Sequence, residues 1–214
     1  MEFNELLEDK MLGINTVGRD DSYEDETHHP YEPTEYAVLE RIIESGYIKE
    51  ESHVIDYGSG KGRACIYFSD RTGCKSTGVE SSRAFYLDAE ENRRGWEYLL
   101  EEGREVSFVL CDAREFEVPP DADAMFFFHP FPEKVLGIVI KKIIASYYNN
   151  PRDIKLIFYY PSDEYISYLK SLKELKVEKK IDCNDLFEKK SERNVVWVFS
   201  VDNIYEETAA CFQK

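Results

Sequence analysis

The apolar positions of this chain switch between two periods. From Glu35 the run "EYAVLERIIESG" sets Val38, Leu39, Ile42 and Ile43 on one helical face and stops at Gly46. "HVIDYG" is short, continuous and apolar up to its acid, which predicts a buried strand. "GRACIYFSDRTG" returns to the helical period and closes at Gly73. "KSTGVE" predicts a second strand ending at Glu80, "SRAFYLDAEENRRGWEYLLEEG" a long helix, and "VSFVLCDA" a third strand. "ADAMFFFHPF" predicts the fourth strand and "PEKVLGIVIKKIIASYYNN" the next helix. "DIKLIFYYPS" and "DEYISYLKSLKEL" repeat the pair, and "KVEKKID" with "NVVWVFSVD" predict two closing strands.

Strands separated by helical runs call for right-handed crossovers and therefore a mostly parallel sheet, an α/β fold. Ligands in such folds bind beyond the carboxyl ends of the strands, near the point where strand order reverses. Four strand ends thus become informative: Asp56 to Gly62, Glu80, Asp112 with Ala113, and His129 to Phe131. Residues 1–30 fall outside the pattern. The acids between Asp20 and Glu26 are too polar to bury, so this stretch is read as an acidic N-terminal segment, a loop or a lid that orders on binding. Residues 31–214 are read as one α/β domain. Adjacent His28 and His29 have diverging side chains and no third ligand nearby, so no metal site is expected.

Composition narrows the classes. The 214 residues are 43% hydrophobic, enough for one domain with a real core. No apolar run approaches the ~18 residues that span a bilayer, so no membrane association is expected. The start "MEFNELLEDK" lacks the basic and apolar regions of a signal peptide. Cysteines at 65, 74, 111, 183 and 211 are odd in number and form no C-x-x-C pair, which suits free thiols in a reducing cytoplasm. The formal net charge of -16 repels phosphate backbones, so nucleic acid is an unfavourable partner. That acidity suits a cationic ligand, a basic protein or a neutral small molecule, and it equally serves solubility.

The chemistry concentrates in "VIDYGSGKGR", Val54 to Arg63. Glycine permits backbone angles closed to other residues and lets a ligand approach the main chain. Between a strand and a helix such a loop is expected to offer free N–H groups. Dinucleotide enzymes use G-x-G-x-x-G there to hold pyrophosphate. Here the spacing is G-x-G-x-G, and Asp56 would sit badly beside pyrophosphate but well beside an ammonium or sulfonium group. Glu80, 24 residues further on, is placed to accept both hydroxyl protons of a ribose. Asp112 is placed to accept from an adenine amino group. These acids at successive strand ends favour a small, partly cationic nucleoside over a dinucleotide.

With these residues the chain resembles the class I S-adenosylmethionine-dependent methyltransferases. "VIDYGSGKG" is similar to their first motif, h-h-D-x-G-x-G-x-G, "STGVE" to the acidic second and "VLCDA" to the third. "FFFHPF" stands where the fourth motif ends strand four, and "YEPTEY" resembles the segment before the sheet. The resemblance covers residues 31 to about 201. It implies a Rossmann-like three-layer sandwich with a seven-stranded, mostly parallel sheet, order 3-2-1-4-5-7-6, the last strand antiparallel. It implies S-adenosyl-L-methionine as cofactor. Asp56 with Gly58, Ser59, Gly60 and Gly62 would face the methionine part, and Thr34 its carboxylate. Glu80 with Ser81 would hold the ribose, and Asp112 with Ala113 the adenine.

His129, Pro130 and Phe131 would form the methyl-transfer site, His129 also bordering the cofactor. Many relatives carry N-P-P-Y/F or D-P-P-Y there; this chain reads His129-Pro130-Phe131-Pro132, which leaves nitrogen and oxygen acceptors both open. A neutral imidazole can accept a hydrogen bond and act as a base near pH 7. Equally, His129 could merely cap the strand. Tyr159, Tyr160 and Pro161 would line an acceptor pocket with Phe131, Phe158 would be core, and Tyr23, Tyr31 and Tyr36 would close over the site. The acceptor is a small molecule or a protein side chain. "DYGSGKGR" is also similar to loops of some protein-lysine methyltransferases. The competing readings are a non-catalytic module that binds the cofactor and acts through partners, and a nicotinamide-dependent oxidoreductase.

Overall fold

Seven strands form one sheet in the order β3-β2-β1-β4-β5-β7-β6 in the computed structural model, which describes residues 4–20, 30–99 and 104–202. The strands are β1 His53–Tyr57, β2 Lys75–Glu80, β3 Val106–Leu110, β4 Ala124–Phe128, β5 Lys155–Tyr159, β6 Leu175–Asp182 and β7 Val195–Val201. The neighbours from β3 to β5 are parallel, and β7 runs antiparallel to both β5 and β6. Order reverses at β1, flanked by β2 and β4, so the switch point lies between β1 and β4. This is the expected Rossmann-like α/β sandwich.

Alternation along the central strands feeds two cores. Val54, Phe126, Ile157 and Val198 meet α2 (Tyr36–Glu44), α3 (Arg63–Thr72) and α4 (Arg83–Leu99). Ile55, Tyr57, Met125 and Phe127 meet α5 (Glu133–Asn149) and α6 (Asp163–Ser171) on the other face. Strands covered on both faces lose the polar alternation of a half-exposed sheet, which is why all five residues of β1 are buried. Phe127 stacks between Tyr57 (4.9 Å) and Phe158 (4.5 Å) in a cross-strand ladder set by the register Tyr57↔Phe127↔Phe158. Phe158 is core, as expected. Among the described residues no helix is long and apolar enough to cross a membrane.

One element departs from the sequence pattern. The periodicity places no helix before Glu35, yet α1 spans Glu5–Leu12, capped by the Asn4 side chain on the Leu7 amide and by left-handed Gly13. Its apolar Leu6, Leu7 and Met11 face outward, whereas Asp9 is buried. Asp9 accepts from the Val17 amide, the Thr16 hydroxyl and the Tyr36 hydroxyl, the last at 2.6 Å. Arg63, the first residue of α3, completes the cluster. It bonds Thr16 Oγ1 (2.6 Å), Asp9 (3.2 Å), the Thr34 carbonyl (3.1 Å) and Glu5, and its guanidinium lies 4.3 Å from the Tyr36 ring centre. The expectations for Tyr23, His28, His29, Cys211 and the acids between 21 and 26 lie outside the described residues.

β6 closes the sheet as an exposed edge carrying Lys176, Lys179 and Lys180, with a bulge between Val177 and Lys179. Lys170 and Lys180 both lie over the Trp197 ring. The β6–β7 connection is fastened to α2 by Arg41, which binds Asp185 and the Asp182 carbonyl.

Phe127→Ala is expected to cost about 3–5 kcal/mol, because it opens a cavity in the aromatic ladder. Tyr98→Ala, at an 89% exposed position on α4, should stay within about 0.5 kcal/mol of wild type. Urea unfolding of both variants checks the contrast.

Candidate functional site

A cleft with about 990 Å³ of open space lies beyond the carboxyl ends of β1, β2, β3 and β4, at the switch point. Its floor is formed by Asp56, Gly58, Ser59 and Gly60 of the glycine loop. Gly58, Gly60 and Gly62 all take left-handed angles (φ 76, 53 and 86). A Cβ on Gly60 would run into the Tyr31 ring at 2.5 Å, and one on Gly58 would meet Pro130 at 2.5 Å. Glycine is thus required where the pre-sheet segment and the end of β4 close on the loop.

The loop amides are not free, contrary to the sequence-based expectation. Gly58 and Ser59 donate to the Val79 carbonyl (2.9 and 3.2 Å), Gly62 to that of Ser59 (2.8 Å), and Gly60 to Glu80 Oε2 (2.8 Å). Glu80 Oε1 accepts from the Ser82 amide at 2.7 Å. Those four N–H groups are satisfied within the protein, so they form no pyrophosphate nest. The loop instead presents carboxylates and shape.

Asp56 and Glu80 are both buried (4% and 6% exposed) and border the same cleft. Burial, and then the charge of Glu80, raises the Asp56 pKa to about 7; the Cys65 thiol, 3.8 Å from Oδ2, opposes the shift slightly. Two acids this close favour a cation between them. The Ser59 hydroxyl is buried beside Gly78 with no hydrogen-bond partner among the described residues.

The cleft gathers Thr34, Asp56, Gly58, Ser59, Gly60, Glu80, Ser81, Asp112, Ala113, His129, Pro130 and Phe131. Gly62 does not line it; it caps α3 against Phe108 and Ala89. Asp112 is held by Arg114, whose Nη2 lies 2.5 Å from Oδ2. His129 lines the β4 side in a left-handed conformation (φ 41), with its ring 4.8 Å from that of Tyr165. Tyr165 donates its hydroxyl to the Phe131 carbonyl and so fixes the turn after β4.

The expected aromatic walls are rearranged. Tyr31 does close over the loop: its hydroxyl donates to the Thr16 carbonyl at 2.6 Å and its ring packs on Phe85 at 5.1 Å. Tyr36 is fully buried against Asp9 and Arg63, away from the cleft. Tyr159, Tyr160 and Pro161 do not line the cleft. Tyr159 is buried, with its hydroxyl on Glu35 at 3.2 Å. Tyr160 is left-handed (φ 52) and clamped by Arg193, which bonds its carbonyl at 2.9 Å and covers its ring. Sequence reasoning missed Arg63, Phe85, Phe128 and Arg114 as lining residues. For Arg63 and Arg114 the available signal was position, one residue after the last glycine and two after Asp112.

No family model matches the sequence, and no curated protein is significantly similar to it. Solved structures are. A SAM-dependent O-methyltransferase from Thermotoga maritima is similar with TM-score 0.58 at 17% identity, over 80% of this chain and 67% of that one. A magnesium protoporphyrin IX methyltransferase from Synechocystis with bound SAM gives 0.55 at 13%, over 78% and 77%. An RNA methyltransferase from Salinibacter ruber in complex with S-adenosyl-L-homocysteine gives 0.51 at 17%, over 80% and 95%. The chain therefore has the fold of the class I S-adenosylmethionine-dependent methyltransferases.

The raised Asp56 pKa has a direct consequence for stability. In the unfolded chain an aspartate titrates near 3.8, in the fold at about 7, so between those values the native state binds the extra proton and loses stability as pH rises. Asp56→Asn should therefore gain stability relative to wild type as pH goes from about 4 to about 7, without ligand. Urea unfolding across that range reads the difference; a flat difference would mean that Asp56 is ionised throughout.

Proposed function

We propose that this protein is a S-adenosylmethionine-dependent methyltransferase acting on a small-molecule or protein acceptor. One observation carries the reading: three acids at successive strand ends, Asp56, Glu80 and Asp112, border a single cleft at the switch point of this fold. The residues fit the cofactor. Its cationic methionine part suits the paired buried acids, and its ribose suits Glu80, because a carboxylate offers about four acceptor positions. The unpartnered Ser59 hydroxyl supplies a further polar group at the loop.

When bound, the cofactor supplies a methyl group on a positively charged sulfur. The work left to the chain is positioning, which contributes up to about 7–11 kcal/mol to such a displacement. Asp56 binds the cationic end, Tyr31 shields the glycine loop from water, and Pro130 and Phe131 set the far wall. The His129 imidazole stands at that wall, where it accepts a proton from an acceptor that must lose one. The -16 net charge argues against RNA as acceptor, although one structural neighbour is an RNA methyltransferase. A non-catalytic binding module is the second reading, and His129 in place of the usual asparagine or aspartate is what favours it.

Calorimetric titration should give micromolar binding of S-adenosylmethionine and of its demethylated product, and none of NAD. Glu80→Gln should weaken both ligands roughly 10- to 100-fold, the effect of losing a charge-assisted hydrogen bond. Affinity for the cationic cofactor should rise with pH through about 7, and this dependence should vanish in Asp56→Asn. Binding of NAD alone would overturn the reading. With an acceptor found by screening, His129→Ala should retain cofactor binding and lose transfer; unchanged transfer would remove His129 from the chemistry.

A further inference from the structure

Arg114 bonds both carboxylate oxygens of Asp112, the acceptor proposed for the nucleoside. It lies beside Asp112 on the β3 side of the cleft. Its backbone N–H donates to Asp112 Oδ1 at 2.8 Å. Its Nε reaches Oδ1 and Oδ2 at 2.9 and 3.1 Å, and Nη2 reaches Oδ2 at 2.5 Å. The Asp112 carbonyl accepts from the amides of Glu115 and Phe116, which holds the turn in shape. The guanidinium therefore folds back over the carboxylate two residues earlier. A carboxylate has about four lone-pair positions, and three N–H groups of one residue already bind this one.

We propose that Arg114 is a latch on the nucleoside part of the cleft, a specificity-determining residue whose guanidinium competes with a purine amino group for the Asp112 carboxylate. The inference rests on the cofactor reading given above. Both side chains are partly exposed, 41% and 36%, and exposed ion pairs are weak. The latch therefore opens readily and costs affinity without abolishing it. Apparent affinity falls by the fraction of molecules in which the latch is open. Cofactor and product carry the same purine, so both are held less tightly, which speeds their exchange. The latch also sharpens selection: a base with no amino donor cannot replace the guanidinium it displaces.

The test is calorimetry with S-adenosylhomocysteine and with S-inosylhomocysteine, which carries a keto group in place of the amino group. Wild type, Arg114→Ala, Arg114→Lys and Asp112→Asn are compared at low and high NaCl. Arg114→Ala should bind S-adenosylhomocysteine roughly two- to fivefold tighter, with Arg114→Lys between it and wild type. The gain should shrink as salt screens the pair. The inosyl ligand should gain less than the adenosyl one, and Asp112→Asn should weaken the preference between them. Unchanged or weaker adenosyl binding in Arg114→Ala, or an equal gain for both ligands, overturns the latch. If no variant, wild type included, binds S-adenosylhomocysteine, the cofactor reading fails and the latch with it.

Discussion

The buried guanidinium of Arg63 is the tie on which the glycine loop and the whole N-terminal approach depend. It starts α3 directly after Gly62 and is 3% exposed. A charge so buried is stable only when its donors are satisfied. Here Thr16, Asp9, Glu5 and the Thr34 carbonyl do so, with the Tyr36 ring beneath. Removing one partner from such a cluster typically costs about 3–5 kcal/mol, since the remaining charges lose their compensation. Through this cluster α1, the pre-sheet segment and the first turn of α3 become one unit. Tyr31 is thereby held at the height where only glycine fits beneath it at position 60.

The other side of that loop carries the opposite electrostatic arrangement. Arg63 is neutralised by acids, whereas Asp56 and Glu80 are buried acids that border the cleft, Glu80 accepting from the Gly60 and Ser82 amides and Asp56 from the Cys65 thiol. Burial first, and then the charge of Glu80, makes the ionised form of Asp56 unfavourable and raises its pKa. Such a pair is costly without a ligand and relieved by a cation. Strain of another kind sits opposite, where β4 and β5 are each followed by a left-handed residue, His129 and Tyr160. Conformations of this type cost of order 1 kcal/mol or more and persist where the surroundings over-determine them. Pro130 and Tyr165 do so for His129, and Arg193 for Tyr160.

The sheet was legible because its central strands are covered on both faces, so a run such as Val54-Ile55 before Asp56 shows no solvent-facing alternation. The acids at the strand ends were legible because the chain order of a parallel α/β fold sends each one to the same edge. α1 was hidden for a physical reason. Leu6, Leu7 and Met11 point outward, while the buried face pairs Leu12 with Asp9, so the apolar residues do not mark the buried side as they do in an amphipathic helix. Its partners on Arg63 and Tyr36 are distant in sequence, and no local period encodes them. The loop amides were misjudged because the pairing of Ser59 and Gly58 with Val79 belongs to the sheet and not to the motif. Tyr159 was misplaced because its hydroxyl answers to Glu35, on a segment that precedes the sheet by many residues.

The lysine-bearing β6 has a consequence of its own. An edge strand carries a row of unpaired backbone groups that any passing extended chain can adopt. Lys176, Glu178, Lys179, Lys180 and Asp182 load this one with charge, and the bulge between Val177 and Lys179 breaks its straight line. Two copies meeting edge to edge would have to desolvate these charged side chains across a kinked front. The sheet is thus terminated chemically as well as topologically, and crowding these molecules together does not let one sheet continue into the next along this border.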